Sequence, residues 1–130
     1  MTQRDISWDE YRIENNEALS GIDVTSVESV LQILKSLRLR GGTLWIAGNG
    51  GSAATASHAA ADLGKTVKSS GASPVFCVAL SDMVAMQTAY ANDISFERGF
   101  SETLMDFAKP EDVLWVISVS GTSPNLMRAI

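Results

Sequence analysis

Three short runs of unbroken apolar residues recur along the chain: Thr43 to Ala47 (TLWIA), Pro74 to Leu80 (PVFCVAL) and Asp112 to Ser118 (DVLWVIS). Continuous, non-alternating hydrophobicity is the pattern of a strand covered on both faces, so each run predicts a buried strand of a parallel sheet. Between the runs the apolar spacing becomes helical. Val27, Val30, Leu31, Leu34 and Leu37 share one face of a predicted helix that opens at the capping-box spacing of Thr25 and Glu28. Gly41 and Gly42 stop that helix, and Lys35, Arg38 and Arg40 suit its negative end as a solvated terminus. Apolar positions at Trp8, Tyr11, Ile13 and Leu19 predict a helix before it. Further helices are predicted from Ser52 to Leu63, from a Ser81-Asp82 cap through Ala91, and from Phe96 to Ala108, where Lys109-Pro110 ends the segment. Pro124 suits the first position of a last helix over Asn125 to Ile130. Strand and helix alternate from Thr43 onward, which predicts an α/β fold with a parallel sheet between two helical layers.

Composition narrows the class without changing that picture. At 130 residues the chain is one domain or part of one, and its 45% hydrophobic content is that of a globular protein. A net charge of −5 with scattered basic residues leaves no footprint for nucleic acid. The apolar runs are too short to span a bilayer, so no membrane association is expected. The first twenty residues are polar and acidic, unlike a secretory signal. The lone cysteine, Cys77, lies in the second apolar run, where it is expected to be a buried spectator in a reducing cytoplasm.

Chemistry concentrates at two predicted strand ends. In an open parallel sheet, ligands bind beyond the carboxyl ends of the strands. After the first strand, Gly48 to Ser52 (GNGGS) offers backbone amides unobstructed by side chains, leading into a helix N-terminus. After the third strand, Ser118, Ser120, Thr122 and Ser123 place hydroxyls around Gly121, again before a helix. Hydroxyls and amides without an obligatory cation suit a phosphate monoester, although each loop alone is equally a set of turn and cap residues. Gly48, Gly50 and Ala53 also satisfy a dinucleotide fingerprint, but no acidic residue closes the second strand at the expected distance, so no nucleotide cofactor is expected. Gly64-Lys65-Thr66 resembles the end of a P-loop only superficially, since it follows a helix and Ala59 stands where the first glycine belongs.

Within the alanine-rich helix, Ser52, Thr55, His58, Asp62 and Lys65 fall on one stripe. His58 is the chain's single histidine. At i and i+4, His58 and Asp62 can share a divalent metal, form an acid/base pair, or simply belong to a polar outer face.

The segments "AGNGGSAATASHAAADL", "ALSDMVAMQTAYANDISFERGFSETL" and "ISVSGTSPNLMRAI" resemble the sugar isomerase (SIS) domain family, in its phosphoheptose isomerase branch. The resemblance covers essentially the whole chain. It implies a flavodoxin-like, five-stranded parallel sheet and a homotetramer with active sites shared between subunits. On that basis residues 41–130 are expected to be the N-terminal part of a SIS domain, cut after its third strand. Residues 1–40 are expected to form helices that pack on the domain and in oligomer contacts. The resemblance further implies that Ser118, Ser120, Thr122 and Ser123 hold a sugar phosphate. Asn49, Gly50, Gly51 and Ser52, with Asp93, would contact the open-chain sugar, and His58 would bind zinc where the metal is used.

The implied reaction interconverts sedoheptulose 7-phosphate and D-glycero-D-manno-heptose 7-phosphate through an enediol, which needs a base to move a proton between C1 and C2. The family's base is a glutamate; here its position holds Asp62, about one methylene shorter, as base or metal ligand. The family's second acid/base, a histidine, and a nearby glutamine fall beyond Ile130, so a chain of only these residues is not expected to isomerise sugars. The alternative is a non-catalytic SIS protein that binds sugar phosphates as a sensor, or that associates with a replication initiator as a regulator.

Overall fold

The computed structural model describes residues 5–130; the first four residues of the polar N-terminal stretch lie outside it. The chain divides into two compact units, one ending at Gln32 and the other running Ile33–Ile130.

The first unit holds α1 (Trp8–Ser20) and the opening turns of α2 (Val24–Arg40). Ser7 and Glu10 close α1 with a reciprocal cap that the apolar pattern does not reveal: the Glu10 amide donates to Ser7 Oγ and the Ser7 amide to Glu10 Oε2, at 3.3 and 2.7 Å. The predicted cap of α2 is displaced. Asp23, not Thr25, takes that role, its carboxylate accepting from the Thr25 and Ser26 amides at 3.0 and 3.2 Å. A carboxylate satisfies two orphan donors where a hydroxyl satisfies one, so the helix starts earlier. The apolar side chains of this unit, including Trp8, Leu19 and Val24, are largely exposed.

In the second unit, β1 (Thr43–Gly48), β2 (Phe76–Ala79) and β3 (Val113–Ile117) form an all-parallel sheet in the order β2-β1-β3. The alternation of side chains along β1 builds both layers of core. Leu44 and Ile46 face Leu37 of α2 and Ala56 of α3 (Gly51–Gly64). Trp45 and Ala47 face the opposite way, onto Leu80, Phe100 of α5 (Gly99–Phe107) and Leu126 of α6 (Pro124–Ala129). Leu44 and Ile46 are fully buried, each contributing about 1.5–3 kcal/mol through the area it removes from water. The three-layer α-β-α arrangement expected for the fold is present.

Several expectations are corrected. Only β1 is buried along its length; β2 and β3 are partly exposed, Phe76 at 70% and Trp115 at 36%, because each pairs on one side only. Ser81 and Asp82 do not cap the next helix. They belong to a 3-10 turn over Leu80–Asp82, and α4 (Val84–Asp93) begins without a side-chain cap. Asp82 instead accepts from the Ser57 hydroxyl of α3 at 2.6 Å. The segment predicted as helix from Phe96 opens as a 3-10 turn, Phe96–Arg98, before α5. At the end of α2, Lys35 and Arg40 are exposed, as expected, and Arg40 Nε also donates to the Glu111 carbonyl at 2.8 Å. Cys77 is half-buried, with its thiol pKa pushed up to about 11 by desolvation.

Asp112 fixes the start of the β1–β3 pairing. Its carboxylate accepts from the Thr43 amide at 2.7 Å and from Trp45 Nε1 and the Lys109 amide, both at 2.9 Å. Desolvation pushes its pKa up, but the bonds from Thr43, Trp45 and Lys109 together outweigh that and hold it below its ordinary value. A depressed carboxylate stabilises the fold fully above the ordinary value of 3.8 and loses that contribution as pH falls through its lower folded value. Asp112→Asn, which turns an NH2 toward the donors, is expected to cost about 1–3 kcal/mol at neutral pH in urea denaturation. The same variant should flatten the fall in stability on acidification below the ordinary aspartate range.

Candidate functional site

The candidate site lies where the connections leaving two neighbouring strands part to opposite faces of the sheet. The connection leaving β1 turns to the face that carries α3, and the connection leaving β3 turns to the face that carries α6. A crevice opens between such diverging connections, beyond the carboxyl ends of the two strands.

At the end of β1 the backbone must reverse within a few residues. A Cβ on Gly48 would stand 2.5 Å from the Ser52 carbonyl oxygen, so this position admits no side chain without moving the helix start. Gly50 caps α3 at φ 54° and ψ −121°, a conformation natural only to glycine. The turn is then closed by backbone bonds from the Ser52 amide to the Asn49 carbonyl and from the Ala53 amide to the Gly50 carbonyl, both 3.0 Å.

After β3, Gly121 sits at φ 66° and the loop folds onto its own hydroxyls. The Gly121 amide donates to Ser118 Oγ at 3.0 Å and the Thr122 amide to Ser120 Oγ at 3.3 Å. Ser120 and Ser123 hydroxyls lie 3.5 Å apart, and Ser123 makes no side-chain capping bond to α6. The loop thus gathers hydroxyls before a helix start, as expected from the sequence.

The two loops meet through a pair not anticipated in the sequence. Asn49 Nδ2 donates to Asn125 Oδ1 at 2.9 Å, and Asn125 Nδ2 donates back to Asn49 Oδ1 at 2.8 Å. Both line a cavity of about 300 Å³, together with Gly48, Gly50, Ser81 and Phe100. The Ser81 hydroxyl is buried there and has no hydrogen-bond partner among the described residues. Gln87, also on the cavity wall, is held by a 2.9 Å bond from its Nε2 to the buried Thr103 hydroxyl. Asn125 was visible in the sequence only as a polar residue in the first turn after Pro124. Ser81 was assigned to a cap, so its place on the wall was missed.

The other candidates stand apart from this cavity. His58 and Asp62 lie on the outer stripe of α3, their side chains 79% and 55% exposed, with His58 Nε2 3.4 Å from Asp62 Oδ2. Asp62 also accepts from the Thr66 hydroxyl at 3.1 Å. Ala56 is buried and Ala59 and Ala60 pack against the sheet, while Ala54 and Ala61 are exposed; the stripe faces outward and does not line the cavity. Asp93, at the exposed end of α4, accepts from its neighbour Asn92 at 2.8 Å and does not line it either. Zinc is tested by the donors alone: a nitrogen and a carboxylate from one helix supply two ligands, and among the described residues no group of three or more joins them. Among the described residues the donor set is therefore incomplete.

A family model described as SIS domain matches residues 11–130. A phosphoheptose isomerase from Chlorobaculum parvum is 34% identical over 121 residues, covering 92% of this chain and 58% of the relative. One from Crocosphaera subtropica is 40% identical over 106 residues, covering 81% and 53%. The chain thus spans little more than half the length of these relatives. Among solved structures, a phosphoheptose isomerase from Neisseria gonorrhoeae superposes with a TM-score of 0.80 at 30% identity, covering 94% of this chain and 62% of that one. Another, from Francisella tularensis, gives 0.85 at 25% identity, covering 94% and 63%.

The glycine loop makes a sharp contrast testable. Gly48→Ala is expected to lower stability by about 1–3 kcal/mol through the clash with Ser52. Gly51→Ala should be neutral or stabilising by up to about 1 kcal/mol, since a Cβ there meets nothing within 4 Å. Thermal melts of the two variants check both outcomes.

Proposed function

The chain belongs to the SIS domain family, and from that premise we propose that it serves a sugar-phosphate aldose–ketose isomerase of the phosphoheptose type. The observation that carries the proposal is the cavity at the switch point, lined by Gly48, Asn49 and Gly50 of the amide-rich turn and by Asn125, two residues after the hydroxyl-rich loop whose own side chains do not line it. Ser118, Ser120, Thr122 and Ser123 would hold the phosphate with hydroxyls and neighbouring backbone amides. Asn49, Gly50, Gly51 and Ser52, with Asp93, would receive the open-chain sugar. Asp62 would take a proton from C1 of sedoheptulose 7-phosphate and return it to C2 of the enediol, giving D-glycero-D-manno-heptose 7-phosphate. The outward position of Asp62 accords with a site completed across a subunit boundary, as in a homotetramer acting in the cytoplasm. No helix among the described residues is long and apolar enough to cross a membrane. His58 and Asp62 would contribute two donors to zinc if the partner surface supplied the rest, and no step is routed through the metal.

One observation favours a second function. Asp62 stands where the resemblance implies a glutamate, and its carboxylate is already engaged by His58 and Thr66. A sugar-phosphate sensor, or a regulator that associates with a replication initiator, needs the binding loops but not the base.

Proton exchange separates the two. In deuterated water the full-length protein is expected to exchange the C1 proton of sedoheptulose 7-phosphate, followed by NMR. Asp62→Asn should abolish the exchange, a loss of at least about 10²-fold, while ligand affinity changes little. Exchange retained by the variant would remove Asp62 from the base role. Saturable binding without exchange in the wild type would favour the sensor.

A further inference from the structure

We propose that Asn49 and Asn125 are a positioning pair that sets the gap between the glycine loop and the serine loop, so that a single sugar phosphate is gripped at both ends. The inference rests on the sugar-phosphate assignment above and adds to it a residue, Asn125, that the resemblance does not assign.

The pair sits where nothing in the ladder holds the two segments together. The β1–β3 register ends at Gly48 opposite Ile117, and beyond it the two connections diverge to opposite faces of the sheet. Asn49 is the first residue past the ladder on one side, and Asn125 lies in the opening turn of α6 on the other. Their side chains reconnect segments 76 residues apart in sequence.

Two reciprocal bonds do what one bond does not. A single hydrogen bond fixes a distance but leaves the partners free to swing about it. Bonds of 2.9 and 2.8 Å running in opposite directions between two planar amides fix distance and tilt together. Asn125 is 2% exposed, so its amide is withdrawn from water and depends on this partner. Each amide spends one N–H and one lone pair on the pair.

Rigidity of this gap has a defined consequence. A ligand with a phosphate at one end and hydroxyls at the other binds tightly when its second contact forms intramolecularly, and that advantage disappears if the two contact surfaces drift. Inorganic phosphate engages only one surface and is indifferent to the gap. A pair that merely supports the serine loop would affect both ligands alike.

Isothermal titration of the full-length protein with sedoheptulose 7-phosphate and with inorganic phosphate distinguishes these cases. The variants are Asn125→Leu, close to asparagine in shape, and Asn125→Ala. Sedoheptulose 7-phosphate is expected to bind either variant about tenfold more weakly, while phosphate affinity stays within about twofold. Equal weakening of both ligands, or no weakening of either in a folded variant, would overturn the positioning role. So would loss of cooperative melting in both variants, which would assign the pair to stability alone. Failure of the wild type to bind sedoheptulose 7-phosphate is a separate result, seen before any variant is made, and would overturn the sugar-phosphate assignment and this inference with it.

Discussion

The pairing of β1 with β3 is the constraint from which the site follows. β1 is covered on both faces and cannot shift without exposing Leu44, Ile46 or Ala47. Side chains clamp its pairing to β3 at both ends. Asp112 ties Thr43 and Trp45 at the start, and the amide pair of Asn49 and Asn125 ties the exits. Between the clamps the ladder runs in register from Leu44 opposite Val113 to Gly48 opposite Ile117. The two connections then part, and their parting creates the cavity. The apolar sandwich fixes where the strands lie, and a few polar bonds fix where the loops begin.

Much of this was legible in the sequence because it depends on local pattern. Unbroken apolar runs bounded by glycine or proline located all three strands, and Pro124 marked the start of α6 to the residue. The glycine and serine loops were visible because small and hydroxylated residues have few other reasons to cluster at a strand end. What escaped depends on partners distant in sequence or on competition between neighbours. Asp23 prevailed over Thr25 because a carboxylate takes two amide donors. Asp82 was drawn from a cap to Ser57 on another helix. The amide pair bridges a separation that no spacing rule reaches. The partial exposure of β2 and β3 reflects neighbours in space, about which hydropathy says nothing.

The split between cavity and stripe bears on how chemistry would be organised. Proton transfer gains most where preorganised groups work with water excluded. The cavity beside Asn49 meets that condition in part, while His58 and Asp62 stand in solvent. The cavity and the His58–Asp62 stripe therefore lie on different faces of α3, and only a second surface laid over the stripe would enclose both. The shorter side chain of Asp62 has less reach into such an enclosure than a glutamate, so the register of any covering surface becomes more demanding.

Cys77 equips the fold with a single, slow-reacting labelling site. Its thiol is the only one in the sequence, lies on β2 beside the central strand, and is held largely as the unreactive neutral form by burial. Alkylating reagents attack the thiolate, so the raised pKa slows modification at neutral pH even though the residue is only half-buried. The rate of labelling at this one atom therefore reports how strongly its surroundings desolvate it. With no second thiol to confuse the signal, any loosening of the packing around β2 would register as faster labelling.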